Sequence, residues 1–293
     1  MIFTNMSSHI KLPWQIKILL KLIFSILPFG YSFWRYFGIF RHGQMDNVTY
    51  PVKIFSHHVE RAYSEGSIKN YSLLELGPGD SIASAIVGYS FGISKIYLVD
   101  TGFFATQNLR YYKNLVNYLS SKGLATPDFS DIHSFQDLLR SCNCEYLSNG
   151  LASLSTIPNE SVDFIWSHSV LEHIYKDQLI SVHRELYRIL KVGGRSSHNI
   201  DYQDHLNYSL NSYRFPSSIW ESQLFRQSGF YTNRVPASQM HKLILSTGFT
   251  CVSQSFGRWP ELPILRNDLD QDFKCYSDDE LISRTSHISL LKM

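Results

Sequence analysis

Little in this chain is charged. Asp, Glu, Lys and Arg make up 18% of its 293 residues, against roughly a quarter in an average soluble domain. The net charge is only +2 and no long basic run is present, which excludes an electrostatic grip on nucleic acid. Cysteine is scarce as well. Cys142, Cys144, Cys251 and Cys275 form no CxxC pair and no zinc-finger spacing, so neither a disulfide framework nor a zinc module is expected. Reduced thiols fit a cytoplasmic protein. Long apolar runs are missing too. The stretch beginning at Ile16 is broken by Lys21 and stopped by Pro28, short of the ~20 residues that span a bilayer. It also has no small-residue cleavage site of the secretory kind. Acid is absent from residues 1–45, which hold Lys11, Lys17, Lys21, Arg35 and Arg41.

What is present is apolar and aromatic. Hydrophobic types reach 44% and aromatics 14%, enough for a sizeable core and against wholesale disorder. The length suits one large α/β domain with additions. Within the N-terminal segment, Ile16, Leu19, Leu20, Ile23, Phe24 and Leu27 recur at helical spacing, and a ring-dense stretch runs from Tyr31 to Phe40. Two readings are open. A cationic, aromatic-flanked amphipathic helix can lie on an anionic membrane at the inner face, or it can pack on the globular part or on a second subunit.

From residue 71 the pattern becomes strand, turn and helix. Leu73-Leu-Glu-Leu76 runs into Gly77-Pro-Gly79, then Asp80, Ser81 and an Ala-rich helical stretch from Ile82 to Tyr89. A second strand, Lys95–Val99, ends at Asp100, about twenty residues beyond the glycine turn. At that interval an acid reaches the hydroxyls of a ribose lying across the first turn. Further strands are expected at 161–166, 195–200, 251–256 and 287–291, and helices at 177–190 and 237–247. Gly193 and Gly194 supply a left-handed stop for the first of these helices. Alternation of this kind predicts a doubly wound, mostly parallel sheet, Rossmann-like in type.

A phosphate-bearing nucleotide suits this turn poorly. Ile82 stands where a dinucleotide fingerprint has its third glycine. Pro78 removes a backbone donor, and Asp80 places negative charge at the helix N-terminus. These features suit a ligand with adenosine, ribose and a cationic centre, which S-adenosylmethionine provides.

Here the chain resembles a known family. Glu75-Leu-Gly77-Pro-Gly79 looks like the first motif of class I S-adenosylmethionine-dependent methyltransferases, and Asp100 matches their second-strand acid. The stretch Ser161 to His173 looks like their fourth-strand motif, and Leu186 to Arg195 their turn before strand five. The resemblance covers residues 70–200. It implies a seven-stranded sheet. More loosely, Ser197 to His205, Trp220-Glu-Ser222 and Ser228 to Arg234 are similar to methyltransferase-domain proteins of bacterial surface-polysaccharide clusters. The resemblance implies cofactor contacts from Glu75, Gly77, Gly79, Asp80, Ser81, Asp100, Gly150, Leu151, Ser167 and His168. An acid for the adenine amino group is missing near Gly150, so Asn149, a backbone group or apolar contact must take its place.

Methyl transfer needs alignment and, for a hydroxyl acceptor, a base. Ser167-His168-Ser169 follows the fourth strand in place of the Asn-Pro-Pro-Tyr type that cradles an exocyclic amine, which disfavours nucleobase methylation. The fifth strand delivers His198, Asp201 and His205 to the substrate edge. Three readings of this trio are open: base with orienting acid, structural hydrogen bonding, or part of a metal site. Asp163 and His173 read as structural, the second as packed or capping. Residues 202–236 are expected to form a lid rich in rings, among them Tyr202, Tyr208, Tyr213, Phe215, Trp220, Phe225, Phe230 and Tyr231. These would serve either as platforms for a sugar or as a small core of their own. The expected layout is a helical arm (1–60), a cofactor-binding core (61–201), the lid, and closing elements (237–293). The expected activity is methyl transfer to an oxygen of a sugar or lipid-linked glycan. Alternatives are a small aromatic or polyketide-like acceptor, or a non-catalytic membrane-associated scaffold.

Overall fold

In a computed structural model, residues 13–26, 47–63 and 68–293 are described. Among the described residues two helices come first, α1 (Trp14–Ile26) and α2 (Thr49–Ala62). The core then alternates β1 (Ser72–Leu76), α3 (Ala83–Ser90), β2 (Lys95–Val99), α4 (Leu109–Ser121), α5 (Phe135–Ser141), β3 (Cys144–Leu147) and β4 (Val162–His168). It closes with α6 (Leu179–Ile189), β5 (Leu190–Asp201), α7 (Ala237–Leu245), β6 (Thr250–Arg258) and β7 (Ser283–Leu291). The seven strands lie in the order β3-β2-β1-β4-β5-β7-β6. Strands β1 to β5 pair parallel, and β7 runs antiparallel to both its neighbours. The expected doubly wound sheet is therefore present, its winding reversing beside β1, where open α/β sheets bind ligands.

Each element follows from local chemistry. β1 carries leucines on both faces because both are covered: Leu73 and Leu74 are fully buried in opposite layers. α3 lies close on the sheet because it is built of small residues; a Cβ on Gly88 would come within 3.1 Å of Ile96. α6 buries Leu179, Val182, His183, Leu186 and Ile189, the stripe a 3.6-residue period demands. Asn108 caps α4 and Ser134 caps α5 by accepting backbone N–H bonds. The paired glycines do not cap α6. That helix ends at Leu190 in extended backbone, and Gly193, at φ +79°, lies inside β5 where its register against β4 shifts, and donates to Lys292 O. Asp163 is structural, as expected: it accepts from Ser72 N at 2.8 Å and pairs with Lys191 at 2.8 Å, tying β1, β4 and β5 together.

Residues 202–236 hold short helical turns around a core of their own. Leu206, Trp220, Phe225, Phe230 and Tyr231 are buried there with Ile18 of α1. Trp220 donates its indole N–H to Thr232 O at 2.7 Å. Arg234 donates to Ser212 O and Phe215 O and lies over the rings of Trp220 and Phe273. Thus α1 packs on the lid. Lys17 Nζ donates to Leu206 O and Asn207 Oδ1, both at 2.7 Å. Lys21 is largely buried, and desolvation followed by repulsion from Lys17 lowers its pKa to about 8. These two lysines face protein, while Ile16, Leu19 and Ile23 are exposed. The ring-dense stretch from Tyr31 to Phe40 lies outside the described residues. Among the described residues, no helix is long and apolar enough to cross a membrane.

Candidate functional site

A cavity of about 760 Å³ opens where the winding reverses. One end is built by the loops after β1, β2 and β3: Gly77, Gly79 and Asp80, then Asp100 and Thr101, then Asn149, Gly150 and Leu151. The other end is built by the loop after β4, with Ser169, His173 and Tyr175, and by Arg226, Gly229 and Tyr231 of the lid.

The glycines are there for geometry. Gly77 has φ +73°, and a Cβ on it would come within 2.4 Å of Val170 Cγ2, so no side chain fits. Gly79 has φ +63° and its Cβ direction is empty, which opens the loop to the cavity. Asp100 holds this loop: Oδ2 accepts from Gly79 N at 3.0 Å and Oδ1 from Thr101 N at 2.7 Å. Asp100 also lines the cavity itself. Two carboxylates, Asp80 and Asp100, line this end, which fits a cationic ligand and opposes a pyrophosphate. Where an adenine acid was missing, Gly150 adopts φ +52° and donates to Asp100 O at 2.7 Å, setting Asn149 and Leu151 along the wall.

Four expected cofactor residues do not line the cavity. Glu75 is buried beneath the glycine loop and bonded to the Ser84 hydroxyl. Desolvation raises its pKa to about 8, opposed by the Ser84 bond and reinforced by Asp100. Ser81 accepts from Ala83 N at 3.2 Å and shapes the start of α3. Ser167 and His168 still belong to β4, so their side chains point to the two sheet faces instead of past its edge. Ser167 Oγ meets His198 Nδ1 at 2.8 Å, while His168 Nδ1 meets His58 Nε2 at 3.1 Å. The strand stops one residue later, at Ser169 with φ +55°, and Ser169 is the residue that lines the cavity.

The expected trio is likewise dispersed. His198 pairs in register with Ser167 inside the sheet and is fully buried. Burial, with smaller effects from His183 and His287, holds its pKa well below the ordinary value. It is a neutral core histidine away from the cavity. Asp201 ends β5 and uses Oδ1 to accept from Gln203 N and Nε2 at 2.9 and 3.0 Å. Only His205 comes near, its Nε2 lying 3.1 Å from Nε2 of His173.

His173 is the residue the sequence undervalued. It lines the cavity, and its Nδ1 lies 2.8 Å from the carbonyl oxygen of Tyr231. A carbonyl only accepts, so Nδ1 carries the proton and Nε2 is the basic nitrogen. A helix-start histidine offers no signal for this, because its partner lies 58 residues onward in the chain. Of the eight lid rings singled out above, only Tyr231 reaches the cavity; the edge of the Tyr175 ring meets it, with centroids 5.3 Å apart. Arg226 lies over Tyr175 and pairs with Asp177 and Glu221. Among the described residues, no three His, Cys, Asp or Glu side chains are arranged to hold a metal ion.

Comparison with known proteins adds a family. Residues 74–197 match the family model described as a methyltransferase domain. No curated protein matches the sequence. Among solved structures, an S-adenosylmethionine-dependent methyltransferase from Mesorhizobium loti is similar at 11% identity, covering 85% of this chain and 100% of that one, with TM-score 0.46. A phosphoethanolamine N-methyltransferase of Haemonchus contortus bound to S-adenosyl-L-methionine matches at 13% identity, over 82% of this chain and 52% of that one, with TM-score 0.46. An arsenic(III) methyltransferase from Chlamydomonas reinhardtii matches at 14% identity, over 86% and 75%, with TM-score 0.45.

Proposed function

We propose that this chain, whose core is a class I S-adenosylmethionine-dependent methyltransferase domain, methylates an oxygen of a sugar or lipid-linked glycan. The observation that carries the choice of oxygen is His173, held at the wall with its basic Nε2 defined by the Tyr231 carbonyl. A hydroxyl nucleophile must lose a proton, and an imidazole is the side chain suited to take it near neutral pH. His173 Nε2 receives that proton, and His205 Nε2 lies 3.1 Å from it at the same wall.

S-adenosylmethionine, when bound, supplies an electrophilic methyl group on a sulfonium. This chain's own residues bind and orient: Asp100 accepts from the ribose hydroxyls, Gly77, Gly79 and Asp80 border the cationic part, and Asn149 to Leu151 border the adenine. Tyr175 and Tyr231 offer ring faces and edges to the acceptor, which supports a sugar. The same pair of rings favours a second reading, O- or C-methylation of a small aromatic or polyketide-like metabolite.

Incubation with S-adenosylmethionine and a panel of glycolipids, free sugars and phenols, read by mass spectrometry, tests the proposal. Methylated oxygen on a sugar supports it; transfer confined to phenols selects the second reading. Transfer to amines alone would overturn both.

A further inference from the structure

A second cavity, of about 340 Å³, lies between α2 and strands β5, β6 and β7. It shares no lining residue with the cofactor cavity. Its floor is a cross-strand row, because Asn199 of β5 pairs with His287 of β7, and His287 with Ser255 of β6. Thr285 lies two residues along β7 on the same face and also lines it. Its roof is His57 and Arg61, one helical turn apart on α2 and so on one face. Arg61 donates to Ser255 Oγ at 3.0 Å, and the rings of His57 and His287 are 6.3 Å apart.

The wall is almost wholly made of donors. It offers a guanidinium, two imidazoles, the Asn199 amide and the hydroxyls of Ser255 and Thr285, and among the described residues no carboxylate lines it. Among the described residues Arg61 forms no ion pair. Arg61 is exposed at the mouth of this cavity and anchored on Ser255, and a forked donor beside hydroxyls and an amide matches a tetrahedral oxyanion. We propose that this cavity binds a phosphoryl or sulfate group, independently of the cofactor site. His57 and His287 are both held below the ordinary histidine pKa, first by desolvation and next by Arg61, so a bound oxyanion would relieve that repulsion.

Calorimetry with sodium sulfate tests the site. Saturable binding is expected in the full chain. Arg61→Gln should weaken it roughly tenfold or more, the loss of a charge-assisted contact. Asn199→Asp, which places a fixed negative charge in the wall, should abolish it. Both variants should bind S-adenosylmethionine as the parent does, which shows that they fold. Sulfate should also raise the titration midpoint of His57, whose charged and titratable neighbours are Lys53, Glu60, Arg61, His58 and His287. Vesicles of phosphatidylcholine with and without phosphatidic acid separate two sources of the group. Arg61-dependent pelleting on phosphatidic acid assigns a lipid headgroup. Arg61-independent pelleting, with Arg61-dependent sulfate binding, assigns a free oxyanion. Sulfate binding that fails to saturate, or is unchanged in both variants, overturns the proposal; neither result bears on methyl transfer.

Discussion

The Nδ1–H of His173 is hydrogen-bonded to the carbonyl oxygen of Tyr231 at 2.8 Å, so the loop after β4 and the lid meet at the wall of the cofactor cavity. The contact is reinforced by Asn233, whose amide donates to Leu171 O and Ile174 O at 2.7 and 3.0 Å. Residues 202–236 are therefore fixed to the loop that carries His173, the proposed base, and orient its ring.

His173→Ala is expected to lower kcat about 10²–10⁴-fold, the range for loss of a general base. Cofactor affinity should stay within about twofold, measured by calorimetry. In the parent the rate should climb as pH rises through the imidazole range and then level, since only the neutral ring accepts a proton. A His173→Ala enzyme with full turnover would remove the base from this mechanism.

Asp100→Ala should cost about 1.5–3 kcal/mol of S-adenosylmethionine binding, as charge-assisted bonds do. It also frees Gly79 N and Thr101 N, so Asp100→Asn, which keeps an acceptor, should lose less. Calorimetry against NAD gives the contrast, and tighter binding of NAD would sink the assignment.

Stability should fall in acid through the buried histidines. Burial is the first cause holding His168 and His183 at about 4 and His287 at about 3. The unfolded chain binds their protons near pH 6.5 and the folded chain resists until far lower. Their contribution is thus intact above about pH 6.5 and is lost progressively as pH falls toward the folded values. Urea midpoints at pH 7 and pH 5 should differ clearly, and His183→Gln should narrow the gap. An unchanged gap would show that other groups govern acid sensitivity.

Glu75 should act with the opposite sign. Its folded pKa is raised to about 8, chiefly by desolvation, so its favourable, protonated state is complete below the unfolded value near 4.5. That contribution is lost as pH rises toward 8. Glu75→Gln mimics the protonated form and can still meet Ser84. It should therefore stabilise the protein more at pH 8 than at pH 5 in thermal melts. Equal effects at both would mean that Glu75 does not titrate in this window.

Membrane contact through α1 is best tested on its exposed side. Replacing Ile16, Leu19 and Ile23 together with serine leaves the lid-facing Ile18 in place. Loss of pelleting with anionic liposomes supports docking. Equal pelleting of both forms leaves α1 as a helix that serves the lid. Deleting residues 1–45 would instead strip the cover from the lid core.

The sequence by itself determined the doubly wound sheet, apart from the short strand β3, and the glycine turn and strand-end acid that border the cavity. Gly77, Gly79, Asp80 and Asp100 are legible because a positive-φ turn, a strand end and a βα interval are local properties, written over a few consecutive residues. The lid's position and its small core were half legible, since ring density announces burial without naming the partner; α1 proved to supply it. What only the tertiary structure decided is which histidine faces which cavity. His168 and His198 sit at promising places in the chain, yet β4 runs two residues past the expected end and His198 lies within β5, so both side chains face the sheet layers, against His58 and Ser167. His173 looks like an ordinary helix-start residue until the lid folds back and the Tyr231 carbonyl fixes its tautomer. Strand ends are set to within a residue or two by hydrogen bonds to neighbouring strands, and side-chain direction alternates with every residue. A local pattern that misplaces the end therefore points the side chain the wrong way, and only the assembled sheet corrects it.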